Sequence, residues 1–95
     1  MATAEPTHVL QDEAQLAQIT LRVKRAHGQM GAIVRMLEEG RNCEDVVTQM
    51  SAVSKAVHTA AFMLISSSLR ECIADASVDS EAVAKKLQKL FLSLA

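Results

Sequence analysis

The stretch Val46-Val47-Thr48-Gln49-Met50-Ser51-Ala52-Val53-Ser54-Lys55-Ala56-Val57-His58-Thr59-Ala60-Ala61-Phe62-Met63-Leu64 decides the fold. Its apolar positions Val46, Met50, Val53, Val57, Ala60 and Leu64 alternate spacings of four and three, which is the seam of an amphipathic helix. Neither Gly nor Pro interrupts the pattern before Ala74. At about 1.5 Å per residue the helix is roughly 45 Å long. Apolar side chains also fall outside the seam, as Val47, Ala61 and Ile65. One neighbouring helix cannot cover all of them.

Upstream, Leu16, Ile19, Val23, Ala26, Met30, Ile33 and Leu37 repeat the same spacing, so a first long helix precedes the second. Gly40 stands where a helix C-terminal glycine belongs, and Asn42 with Asp45 forms a capping pair that starts the next helix. A loop of about two to four residues forces the two helices antiparallel. Downstream, Ser77-Val78-Asp79-Ser80 supplies turn and N-cap residues, and Val83, Leu87, Leu90 and Leu94 mark a short third helix. The expected fold is all-α: a long antiparallel helical hairpin plus a short third helix, with residues 1–15 as an N-terminal arm and 16–95 as one helical domain. The uncovered apolar faces predict dimerisation through the second helix, and the alternative is a monomeric three-helix bundle.

Composition supports this reading. The 95 residues are 49% hydrophobic and 22% charged, which is enough apolar surface to fold. Three Gly and one Pro are too few for a hairpin-rich β fold, and two Phe with no Trp or Tyr leave little for stacking nucleobases. A net charge of −1 means that any polyanion surface must come from local segregation of charge. The start of the chain has no basic-then-apolar pattern, so a cytoplasmic location without a membrane span is expected.

The two cysteines sit 29 residues apart, at the first turn and near the end of the second helix. At about 100° per residue, 29 steps leave about 20° over, so Cys43 and Cys72 share one stripe of the helix. They lie roughly 43 Å apart along it, which excludes intrachain pairing in a continuous helix. If two copies pack antiparallel about an axis near Val57 and His58, Cys43 of one chain comes level with Cys72 of the other. The helix N-terminus favours the thiolate at Cys43. The alternative is that both are small buried apolar residues. Paired zinc-type spacings are absent.

The elements Arg22-Val23-Lys24-Arg25-Ala26-His27-Gly28-Gln29, Arg35-Met36-Leu37-Glu38-Glu39-Gly40 and Cys43-Glu44-Asp45-Val46-Val47-Thr48-Gln49-Met50-Ser51-Ala52 resemble the CsoR/RcnR/FrmR family of bacterial repressors. The resemblance runs from about residue 16 to 94. It implies an antiparallel dimer assembled into a tetramer, which binds operator DNA without a helix-turn-helix and releases it on sensing an inducer. It makes Arg22 and Arg25 the first residues for DNA contact, supported by Lys24, Gln29, Arg35 and Arg41. Without the resemblance these charges read as an ordinary solvated helix face.

Metal- and formaldehyde-sensing members of that family carry a His four residues before the second cysteine. Here the position is Ser68, a poor ligand for Cu(I), which prefers thiolate and imidazole. The Cys43, Ser68, Cys72 pattern is similar to the CstR branch, which implies sensing of reactive sulfur, persulfide or polysulfide, with no metal and no cofactor. A linear two-thiolate Cu(I) site is the alternative within the family, and a small persulfide carrier without DNA binding is the alternative outside it. An enzyme is not expected, since these helices offer no evident pocket. His8 on the arm and His58 in mid-helix read as non-ligands, and Met30, Met36, Met50 and Met63 as packing. Lys85, Lys86 and Lys89 read as a last-turn cluster, either a second DNA patch or a complement to the helix dipole.

Overall fold

A computed structural model describes residues 7–75 and 78–94, and Ser77 of the expected turn lies outside them. Three helices follow in order, α1 (Glu13–Glu38), α2 (Cys43–Ala74) and α3 (Val78–Leu94), with no strand among the described residues. The hairpin is as expected. α1 closes in a Schellman turn: the Arg41 amide donates to the Met36 carbonyl at 2.9 Å and the Gly40 amide to that of Leu37 at 3.2 Å. Gly40 takes φ 71°, the left-handed conformation that a side chain would strain. Asn42 then caps α2, its Oδ1 accepting from the Asp45 amide at 2.9 Å.

α1 and α2 pack through two small clusters. Ala26 and Ile33 meet Val46 and Val53 near the loop, and Leu10 and Ile19 meet Ala60 at the other end. Ala26 and Ala60, 2% and 3% exposed, let the backbones approach closely where a longer side chain would hold them apart. Each buried aliphatic side chain contributes about 1.5–3 kcal/mol relative to exposure. α3 packs on α2 only, away from α1, and the rings of Phe62 and Phe91 meet at 5.0 Å.

α3 begins earlier than the turn residues suggested. Asp79 and Ser80 lie inside the helix, and the Ser80 hydroxyl donates to the Asp75 carbonyl at 2.7 Å. The helix runs on to Leu94, which leaves Lys85, Lys86 and Lys89 in mid-helix, and the last turn of α3 carries no basic residue. They do not complement the dipole there, whose effect is confined to the terminal turn.

Residues 8–12 dock on α2. Leu10 is buried, and the Glu71 carboxylate on α2 accepts from His8 Nε2 at 2.8 Å, from the Gln11 amide at 2.9 Å and from the Asp12 amide at 2.8 Å. Asp12 in turn caps α1 at Gln15. The Gln11 amide, opposed in part by burial and aided by His8 and Asp12, holds the Glu71 carboxyl below its ordinary value of 4.5. The folded state therefore gains from this clasp above about pH 4.5, and loses the gain as pH falls through the lowered folded value.

Two outcomes follow from this architecture. In an NMR titration the Gln11 and Asp12 amide protons should shift with a midpoint below 4.5, and a midpoint at or above that value would contradict the clasp. The hairpin also leaves Leu16, Val23, Met30, Val34, Met50 and Val57 between 44% and 55% exposed, which is a patch suited to association. Sedimentation at micromolar concentration should give a multiple of the 10.3 kDa chain, with Val57→Glu shifting it toward monomer. A wild-type species of one chain would contradict this.

Candidate functional site

The uninterrupted α2 keeps the two thiols on one stripe and at opposite ends of the helix, as their spacing requires. Their surroundings differ. Cys43 is the first residue of α2 and is exposed, whereas Cys72 is 4% exposed. Burial pushes the Cys72 thiol up, with the Asp75 and Glu71 carboxylates adding to the effect. Cys43 is thus the accessible sulfur, and the reading of both cysteines as buried apolar residues fits only Cys72.

Ser68 is buried with Cys72, one turn before it, and Ile65 completes a stripe of three buried residues. That stripe lies roughly 100° round α2 from the face that Ala60, Ser67 and Glu71 turn to α1. It lies between that face and the side on which Phe62 meets Phe91 of α3. Among the described residues no group of three or more His, Cys, Asp and Glu within the chain is placed to hold a metal ion. His8 is engaged by Glu71, His27 is exposed, and His58 lies at mid-helix in an apolar groove. Within the chain, the group one turn from Cys72 on its stripe is therefore the Ser68 hydroxyl and not an imidazole.

This groove, of about 510 Å³, runs between α1 and α2 and is lined by Met30, Val34, Met50, Ser54, Val57 and His58, among others. Met36 and Met63 do pack against the core clusters. Met30 and Met50 instead line the open groove, exposed by 55% and 51%.

The six residues implied for DNA contact do not share one face. With Ile19, Ala26 and Ile33 against α2, helical periodicity puts Arg22, Arg25 and Gln29 on the flank of α1 opposite the apolar groove. Lys24 and Arg35 lie on the outer face, about 140–160° round from Arg22. Arg41 sits in the loop, paired with Asp45 at 3.5 Å with both side chains about half exposed.

Lys55 is exposed and lies on the outer face of α2, about 160° round from Val53 and the contact with α1. Sequence reasoning missed Glu71. Glu71 carried no sequence signal because its partners are mostly backbone amides some 60 residues away.

Residues 15–93 match the family described as metal-sensitive transcriptional repressor. The chain is 40% identical over 76 residues to the copper-sensing transcriptional repressor CsoR of Bacillus subtilis (strain 168), covering 78% of this chain and 75% of that protein. It is 42% identical over 52 residues to the copper-sensing transcriptional repressor RicR of Mycobacterium tuberculosis (strain ATCC 25618 / H37Rv), covering 55% of this chain and 54% of that one. The copper-sensing transcriptional repressor CsoR of Mycobacterium ulcerans (strain Agy99) is 33% identical over 78 residues, covering 82% of this chain and 65% of that protein. No solved structure matches. Among the described residues no helix is long and apolar enough to cross a membrane. With a family match that takes in all but the ends of its three helices, the chain belongs to the metal-sensitive transcriptional repressors, a family of DNA-binding regulators and not of enzymes.

Proposed function

We propose that the protein is an oligomeric operator-binding repressor that senses reactive sulfur through Cys43 of one chain and Cys72 of its antiparallel partner. The observation that carries this reading is the buried Ser68, one turn before Cys72, where an imidazole would be needed to complete a three-ligand metal site. Two thiols with no third soft ligand suit sulfur chemistry. The exposed Cys43 thiolate attacks the sulfane sulfur of an organic persulfide, the S–S bond of the reagent breaks, and its thiolate leaves, so that Cys43 carries a persulfide. The Cys72 thiolate of the partner then attacks the Cys43 sulfur and hydrosulfide departs, leaving a disulfide. When Cys43 has first accepted a second sulfur, attack one atom further out leaves one extra sulfur in the bridge. Each added atom relaxes the narrow Cα separation that a disulfide demands.

A second reading has its own support. The relatives at 40% and 42% identity are named as copper-sensing, and two thiolates from two chains would hold Cu(I) linearly without a ligand at position 68. A persulfide carrier that binds no DNA has no such support, because the family match is to repressors.

Non-reducing gels of persulfide-treated protein should show a covalent dimer, with mass increments of about 32 Da for each sulfur beyond two in the bridge. Cys43→Ala should abolish the response, and Cys72→Ala should take sulfur on Cys43 without cross-linking. Ser68→His should raise Cu(I) affinity. Monomer alone on the gel, or operator release by Cu(I) at a lower dose than persulfide, favours the copper reading.

For the DNA surface we assign Arg22, Arg25 and Gln29 to one flank of the hairpin. Arg22→Ala and Arg25→Ala should each weaken operator binding with helicity intact. The slope of log affinity against log salt should become shallower by about 0.9 for each phosphate that the variant no longer neutralises. Unchanged slopes in both would move the surface to Lys85, Lys86 and Lys89 on α3.

A further inference from the structure

We propose that Glu71 is the positioning residue that links the turn carrying Cys72 to the start of α1, and so to the Arg22 and Arg25 flank. The proposal rests on the repressor reading above, in which the inducer acts at Cys72. One carboxylate holds three separate donors of the N-terminal segment, the His8 ring and the Gln11 and Asp12 amides, at 2.8–2.9 Å. A second link lies one turn earlier on the same face: Ser67 Oγ stands 3.4 Å from Gln15 Oε1 and accepts from Arg70 Nη2 at 3.2 Å. Together they tie the end of α2 to residues 8–15.

Glu71 and Cys72 are consecutive residues of one helical turn with opposite environments. Glu71 turns to residues 8–12, and Cys72 turns to the buried stripe that it shares with Ile65 and Ser68. At 4% exposure the Cys72 sulfur has no room for a partner's thiol or for added sulfur atoms without movement of its turn. Any rotation of that turn about the α2 axis carries the Glu71 carboxylate with it. Hydrogen bonds weaken steeply once the donor angle falls toward 120°, so three bonds converging on one carboxylate break together. α1 is continuous from Glu13 to Glu38, and Arg22 lies about 15 Å along it from Asp12. Release of its first turn therefore changes the seat of the basic flank against α2.

The clasp suits a switch better than a brace. α1 already has its own N-cap in Asp12, so Glu71 is not needed to start the helix. The His8 and Glu71 side chains keep 21% and 23% of their surface exposed, and ion pairs in contact with water add little stability. Docked and released arms thus differ by little enough in free energy for a local event at Cys72 to select between them.

The test uses the full chain, an operator duplex, and two probes in parallel, glutathione persulfide and Cu(I). The quantity read is the ratio of operator Kd after treatment to Kd in the reduced state. In Glu71→Ala the reduced protein should already bind the operator weakly, near the treated wild type. Its ratio should fall at least tenfold toward one, while helicity, oligomeric mass and the yield of the Cys43 to Cys72 cross-link stay as in wild type. A merely structural role would lower helicity or mass and leave the ratio alone. Glu71→Gln, which keeps an acceptor for the Gln11 amide, should fall between, and it carries the measurement if Glu71→Ala folds poorly. In wild type, amide exchange protection at Gln11 and Asp12 should drop on treatment. A wild-type response retained within twofold in both variants overturns this inference alone. A wild-type ratio of one with both probes overturns the sensing reading and this inference with it.

Discussion

A 32-residue helix with apolar side chains on several faces is the constraint from which the rest of the molecule follows. α2 outreaches any single neighbour of this chain. α1 covers one face along the hairpin, and α3 returns over a second face of the C-terminal half. What neither reaches is the flank of Val57 and Met50, bordered by Cys43 and the open groove. The same continuity that keeps the thiols far apart within a chain makes a second chain necessary for any chemistry between them. Association and sensing then share one cause in the length of α2.

α1 divides its circumference four ways. Ile19, Ala26 and Ile33 bind α2, Met30 and Val34 border the groove, Arg22, Arg25 and Gln29 occupy the opposite flank, and Lys24 and Arg35 lie on the outer face. An apolar flank and a basic flank on opposite sides of one hairpin allow self-association and DNA binding to proceed without competing for surface. A net charge of −1 is no obstacle, because Glu38, Glu39, Asp75 and Asp79 lie toward the helix ends, away from Arg22 and Arg25.

How much was legible in the sequence follows the range of the interactions. The limits of α2, the Gly40 turn and the Asn42 cap are set by residues within five positions of one another, and they read directly. The start of α3 did not, because Asp79 and Ser80 are as much at home in the first turn of a helix as before it. The burial of Ser68 and Cys72 is a fact of tertiary packing, and the periodicity of α2 alone says nothing of it. The common stripe of the two cysteines is a matter of arithmetic, but their opposite exposure is a tertiary fact. Glu71 was invisible for the same reason: it gains its meaning from residues across the hairpin.

The asymmetry of the two thiols gives the proposed chemistry a direction. An exposed sulfur at the first residue of α2 meets reagent without any movement of the fold, whereas the Cys72 sulfur, raised in pKa by burial and by Asp75 and Glu71, is a poor first nucleophile. Sulfur accepted at Cys43 is therefore a loading step that leaves the packing intact. The step that requires Cys72 to emerge is the one that disturbs the end of α2. Placing the unreactive partner in the packed region and the reactive one outside it ties structural change to bridge formation and separates it from simple modification of Cys43, so a reagent able only to cap an exposed thiol would leave the basic flank where it is.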